Sequence, residues 1–217
     1  MHGHRLPRPL RRRRRRVVRE RDAGAARLRR PGRRLPLHRR PDRVLLRLAV
    51  TPFHFEYLFR ARDPDAVFTV YFDPEHQAEQ DRRVEVARRE TLEDTDEGDL
   101  RRRVARVYPR RQLPVVIRPL IKGDLSYDEA IVWHKRDHRI EFDIRPRLLD
   151  GKAQILATYR LEQRGPGQVQ RFYDGQVTVH LRLIGGRVEK AIIEDLERSL
   201  TATAGCTQEY LDRRGLT

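Results

Sequence analysis

Val188, Ile192, Leu196 and Leu200 recur every fourth residue near the end of the chain, and Ala191 and Ile193 widen the stripe they make. This is the period of an α-helix with one broad apolar face. The pattern runs from about Arg187 to Arg213, with Gly205 weakening the helix toward its end. A helix with such a face must bury it against other elements. The chain before it supplies strands, because from residue 84 onward apolar residues recur mainly with period two.

An earlier strand is announced by Phe53, Phe55, Tyr57 and Phe59, which alternate with His54, Glu56 and Arg60. Two Asp-Pro pairs follow. Asp63 is placed to N-cap a helix with Pro64 in its first position, leading into residues 66–72. Asp73 and Pro74 repeat the device for a second short helix through about Asp81, with Glu75 adding a favourable charge to the first turn. Strands are predicted over 84–94 and 99–109, joined by a turn over Asp94–Gly98. Residues 112–125, with Pro114, Pro119 and Gly123 among apolar residues, predict an irregular flap or a short helix. Residues 126–134 and 138–145 predict a hairpin turning about Lys135–Asp137. A strand over 153–162 leads through Gly165-Pro166-Gly167 to a long strand over 168–183, ended by Gly185-Gly186. The order is β-α-α-β-β-β-β-β-β-α, an α+β fold. About 167 residues can bury roughly 70% of their unfolded surface, enough for one core.

The formal net charge of +16 suggests a nucleic-acid partner until it is located. Residues 1–50 hold 19 Arg, no Lys and only Glu20, Asp22 and Asp42 as acids, which accounts for all of it. The remaining residues balance, so the charge says nothing about the folded part. Residues 1–50 use ten residue types, are rich in Arg and Pro, and predict a disordered segment. One reading makes it an arginine arm that binds nucleic acid or acidic lipid. The other takes it as translated GC-rich sequence upstream of the true start, with Val50 read from a GTG start codon. The second is the expectation, and with it residues 51–214 form the domain and nucleic-acid binding is not expected. A single cysteine, Cys206, rules out an intramolecular disulfide framework. No stretch approaches the roughly 20 apolar residues of a membrane span. The apolar run at 44–50 is short for a signal peptide and is interrupted by Arg47. A cytoplasmic location is expected.

Three stretches carry a family likeness: Val67-Phe68 through Phe72-Asp73-Pro74-Glu75-His76, Leu183 through Lys190, and Thr207-Gln208-Glu209-Tyr210-Leu211. With the element order, they make residues 51–214 resemble the START-like (SRPBCC, helix-grip, Bet v 1-like) superfamily. The likeness is nearest to an uncharacterised bacterial domain-of-unknown-function family within it. The resemblance implies a seven-stranded curved antiparallel sheet around a long C-terminal helix, with two short helices after the first strand. It also implies a cavity between sheet and helix that takes a hydrophobic small molecule or lipid. The motifs are structural and say little about chemistry.

Tyr127, Glu129, Ile131 and Trp133 share one strand parity, and Tyr159 and Tyr173 face the same interior if their strands are in register. The candidate pocket is Tyr108, Tyr127, Glu129, Trp133, Phe142, Tyr159, Tyr173, Ile192 and Leu196. Aromatic rings would supply area, and phenols with Glu129 would orient a ligand; taken singly, each is more simply ordinary core packing. Arg102 and Arg106 could meet a ligand carboxylate, but solvent exposure is expected of them. His134 and His138 flank a turn without further ligands, and Asp94, Asp96 and Asp99 lack the closing Glu of a calcium loop, Ala105 standing there, so no metal is expected. Cys206 reads as a buried thiol. No cofactor motif is present. The expected function is ligand binding without established catalysis; the alternatives are a polyketide cyclase or aromatase using a pocket Tyr or Glu as acid or base, and nucleic-acid binding through the Arg-rich tail.

Overall fold

Two aspartate-proline pairs decide how the chain leaves its first strand. In the computed structural model, which describes residues 50–110, 125–147 and 151–217, strand β1 (Val50–Arg60) is followed by helices α1 (Pro64–Tyr71) and α2 (Pro74–Arg83). The Asp63 carboxylate accepts the Ala66 N–H at 2.8 Å, and Asp73 accepts those of Glu75 and His76 at 2.8 and 3.3 Å. Each proline occupies the first helical turn, where its missing N–H leaves no bond unmade. The readings of residues 1–49 as a tail, and of the flap over residues 111–124, lie outside the described residues.

Six more strands complete the sheet: β2 (Val86–Glu97), β3 (Leu100–Pro109), β4 (Tyr127–His134), β5 (Arg139–Pro146), β6 (Ala153–Gly165) and β7 (Gln168–Val179). Their order is β1-β7-β6-β5-β4-β3-β2, every neighbouring pair antiparallel. This is the curved seven-stranded sheet of the helix-grip architecture. β2 continues through Glu97, so the turn expected over Asp94–Gly98 shrinks to Gly98-Asp99, with Gly98 at φ 57°. The acids of that stretch pair across the hairpins instead, Asp94 with Arg101 and Asp96 with Lys135. β7 stops at Val179 rather than continuing to residue 183, and helix α3 begins at Gly185 and ends at Arg214. A Cβ on Gly185 would stand 2.7 Å from the Val179 carbonyl oxygen, so the tight entry to α3 needs glycine there.

Period two sorts the side chains. Phe53 and Phe59 on β1, Ile131 on β4, Ile140 and Phe142 on β5, Tyr159 and Leu161 on β6, and Val169 and Tyr173 on β7 are buried on one face. Phe68 and Val67 of α1 join the same core.

Helix α3 is fastened to this body at its two ends. Near its start the buried Glu189 accepts the Val179 N–H at 2.8 Å and the Thr51 hydroxyl at 2.6 Å. Near its end Ala204, Cys206, Thr207, Tyr210 and Leu211 are buried. There Gln208 exchanges two hydrogen bonds with the Arg60 backbone, and Arg213 and Arg214 reach Glu79 and Glu75 on α2. Between Glu189 and Ala204 no residue of the helix is fully buried. No helix among the described residues is long and apolar enough to cross a membrane.

Candidate functional site

The unburied middle of α3 lies over a cavity of about 280 Å³. Ile192, Leu196 and Leu200 form its helix side, so the four-spaced stripe looks into the hollow of the sheet. The floor is made by Tyr127 and Glu129 of β4, Phe142 and Ile144 of β5, Ile155 and Tyr159 of β6, and Arg171 and Tyr173 of β7. These positions meet through the strand register: Glu129 faces Ile144, Ile144 faces Ile155, and Tyr159 faces Tyr173. Tyr71 closes one wall, while Gln80, Asp81, Val86 and Pro109 bring α2 and the outer strands to the rim.

Seven of the nine residues expected to line a pocket do line this one: Tyr127, Glu129, Phe142, Tyr159, Tyr173, Ile192 and Leu196. Trp133 shares their face but sits nearer the β4–β5 turn, where its ring stacks 4.5 Å from Phe72 and 5.2 Å from Phe68. The structure thus uses it to seal α1 onto the sheet. Tyr108 is on the opposite face: it pairs with Arg88, whose guanidinium lies 4.0 Å over its ring, and its hydroxyl donates to Glu90 at 3.2 Å. Alternation explains this, since the next residue, Pro109, is the one that reaches the rim. Arg106 is likewise outward, bound to Asp128 at 2.7 Å, and Arg102 is exposed. His134 lies 3.6 Å from Glu141 and His138 3.3 Å from Asp65, two separate pairs. No three metal-ligating side chains converge among the described residues.

Two arginines that sequence reasoning passed over dominate the electrostatics. Arg89 is half-buried between carboxylates: its Nε and Nη2 donate to Asp81 at 2.9–3.2 Å and its Nη1 donates to Glu129 at 2.8 Å. Burial opposes its charge, but Glu129 and Asp81 outweigh burial and push its pKa up. Arg171 is 3% exposed and has no such partner. Its Nη2 donates to the Leu200 carbonyl at 3.1 Å, its guanidinium lies 4.2 Å over the Tyr57 ring, and its Nε has no hydrogen-bond partner among the described residues. Burial lowers its pKa, opposed by the surrounding tyrosines. Burial also raises the tyrosine hydroxyls: Tyr71 and Tyr173 rise, and Tyr159, drawn back by Arg171, stands at about 12. At neutral pH these phenols are protonated and available as donors. The signal that could have found Arg171 was its parity, shared with Val169, Tyr173, Val177 and Val179 on β7.

A curved antiparallel sheet gripping a C-terminal helix, with a cavity between them, is the START/Bet v 1-like fold. Solved structures with this fold include an aromatase/cyclase from a Streptomyces species (TM-score 0.57, 11% identity, 76% of this chain and 96% of that one). Norcoclaurine synthase from Thalictrum flavum, solved with dopamine and hydroxybenzaldehyde, matches with TM-score 0.56 and 15% identity over 84% of this chain and 98% of that one. A START superfamily protein from Mycobacterium smegmatis matches with TM-score 0.50 and 16% identity over 73% and 98%. At these identities the likeness is one of fold. A search of curated protein sequences finds no match. Residues 60–211 match the family described as "Protein of unknown function (DUF2505)", and the chain belongs to that family.

Proposed function

We propose that the domain binds an apolar small molecule in the cavity between the concave sheet face and α3. The observation that carries this reading is the bridge made by α3: it is fixed at both ends, and its apolar stripe spans open space between them. An apolar stripe left unpacked is costly unless something else covers it. The volume of about 280 Å³ exceeds the roughly 150 Å³ of an apolar cavity that admits benzene. It suits a molecule of one or two rings, or a medium acyl chain, better than a diacyl lipid. The dopamine and hydroxybenzaldehyde held by the norcoclaurine synthase structure are of this size class. A cytoplasmic site of action fits the free, buried Cys206 thiol.

A cyclase-like reaction is the second reading, favoured by the Tyr159 phenol beside the Arg171 guanidinium, two donors able to hold an enolate oxygen. Against it, Glu129, the carboxylate nearest the role of base, is occupied by Arg89. Native mass spectrometry of the protein from its own host tests both. A co-purifying small molecule, released unchanged on denaturation, supports binding; one whose mass changes during incubation supports catalysis. Protein that arrives empty, and stays empty against extracts of its host, contradicts the proposal.

A further inference from the structure

Arg171 and Arg89 stand on the same cavity wall and are treated differently by the fold. Arg89 is neutralised by Asp81 and Glu129. Arg171 is more deeply buried, yet no carboxylate among the described residues forms an ion pair with it. A guanidinium stays charged under any ordinary condition. A buried charge without a counter-charge is among the most unfavourable features a protein interior can hold. Its compensation is partial and wholly uncharged: the faces of Tyr57, Phe59 and Tyr159 at 4.2, 5.3 and 5.7 Å, the Tyr159 hydroxyl, and one carbonyl, that of Leu200. Its Nε is left without a partner while the residue lines the cavity. The Leu200 carbonyl does not need Arg171, because it also accepts the Thr203 hydroxyl at 3.1 Å.

We infer that Arg171 is the receptor for a single negative charge on the bound molecule, and that the ligand is an apolar monocarboxylic acid. This rests on the cavity-binding reading and adds the ligand's class to it. Three features select a monoanion. Among the described residues, only one cation of the cavity wall lacks a carboxylate partner. A dianion such as a phosphate ester would face Asp81, Glu129 and Asp195 on the same walls. A planar carboxylate matches the fork of one guanidinium, and the protonated Tyr159 phenol beside it offers a further donor.

The test compares acids with their uncharged amides: naphthoic acid with naphthamide, and decanoic acid with decanamide. Each is titrated calorimetrically into the full-length wild type, Arg171→Met and Arg171→Lys at neutral pH. The arginines of residues 1–50 are common to all three proteins, so only differences between them report on Arg171. The wild type is expected to bind at least one acid about tenfold or more tightly than its amide. Arg171→Met should bind acid and amide alike and melt no lower than the ligand-free wild type. Arg171→Lys should keep a reduced preference, having the charge without the fork. If Arg171→Met does not fold, the reduced preference of Arg171→Lys decides. Equal binding of acid and amide by the wild type overturns the inference and leaves the cavity reading standing, as does a preference that survives undiminished in the variants. Failure of all four compounds to bind the wild type overturns both.

Discussion

His76 lies at the join of α2 and α3 with no solvent contact, its Nε2 3.2 Å from the Thr207 hydroxyl oxygen. Thr207 donates to the Thr203 carbonyl and receives Gln80 Nε2, so the buried imidazole shares one polar cluster with both helices. Burial pushes its pKa down to about 4. The unfolded chain binds a proton near pH 6.5 that the folded chain refuses until about pH 4, so stability falls as pH drops through that window. The full effect is about 3 kcal/mol. The lowered Asp63, Asp73, Asp94, Asp128 and Asp143 carboxylates, and Glu79 and Glu209, lowered from 4.5 by Arg213 and Arg83, lose their contribution as pH falls below about 5, at the acid end of this window. His54, whose pKa is raised by Asp174 and Glu56, has the opposite sign but is screened by solvent. Urea unfolding between pH 5 and 6.5 should therefore show a slope in the wild type that His76→Gln largely removes. An unchanged slope in the variant contradicts this assignment. At this scale the sequence was least legible. Alternation places Tyr127 and Glu129 on one face, but only register shows that Trp133 is spent on Phe72 and that an arginine, Arg171, occupies the floor.

Elements were easier to read because their signals are local. Asp63-Pro64 and Asp73-Pro74 mark two helix starts through bonds made within three residues, and those bonds are present. Where an element's end depends on a distant partner, local reasoning drifted. β7 stops early because Val179, its last residue, gives its N–H to Glu189 on α3, a contact that no short window contains. That carboxylate fixes the helix start on the sheet: Glu189→Ala leaves the Val179 N–H and the Thr51 hydroxyl without their acceptor. The expected loss is about 2–4 kcal/mol in chemical unfolding, from one or two buried donors left unmet. A loss below about 0.5 kcal/mol, the range of ordinary surface substitutions, would mean that Glu189 does not hold α3 in place.

For the whole molecule, the order of strands and helices was enough to anticipate the architecture, because a long apolar-faced helix after a run of period-two strands has few places to go. The volume left beneath the helix was not legible, since it depends on how far α3 is held from the sheet by contacts at its two ends. Binding beneath α3 requires that this space be open to an apolar guest. Leu196→Trp, which adds a large ring at the centre of the bridge, tests that requirement. If the space is open the ring enters it, and stability is kept or improved; in a filled interior it would cost about 1–3 kcal/mol. The most direct measurement is a fluorescence titration of wild type and Leu196→Trp with the neutral apolar dye N-phenylnaphthylamine. Saturable binding of one equivalent to the wild type is expected, with affinity at least about tenfold weaker in a variant that melts no lower. Equal binding by the two proteins, or none by either, would contradict it.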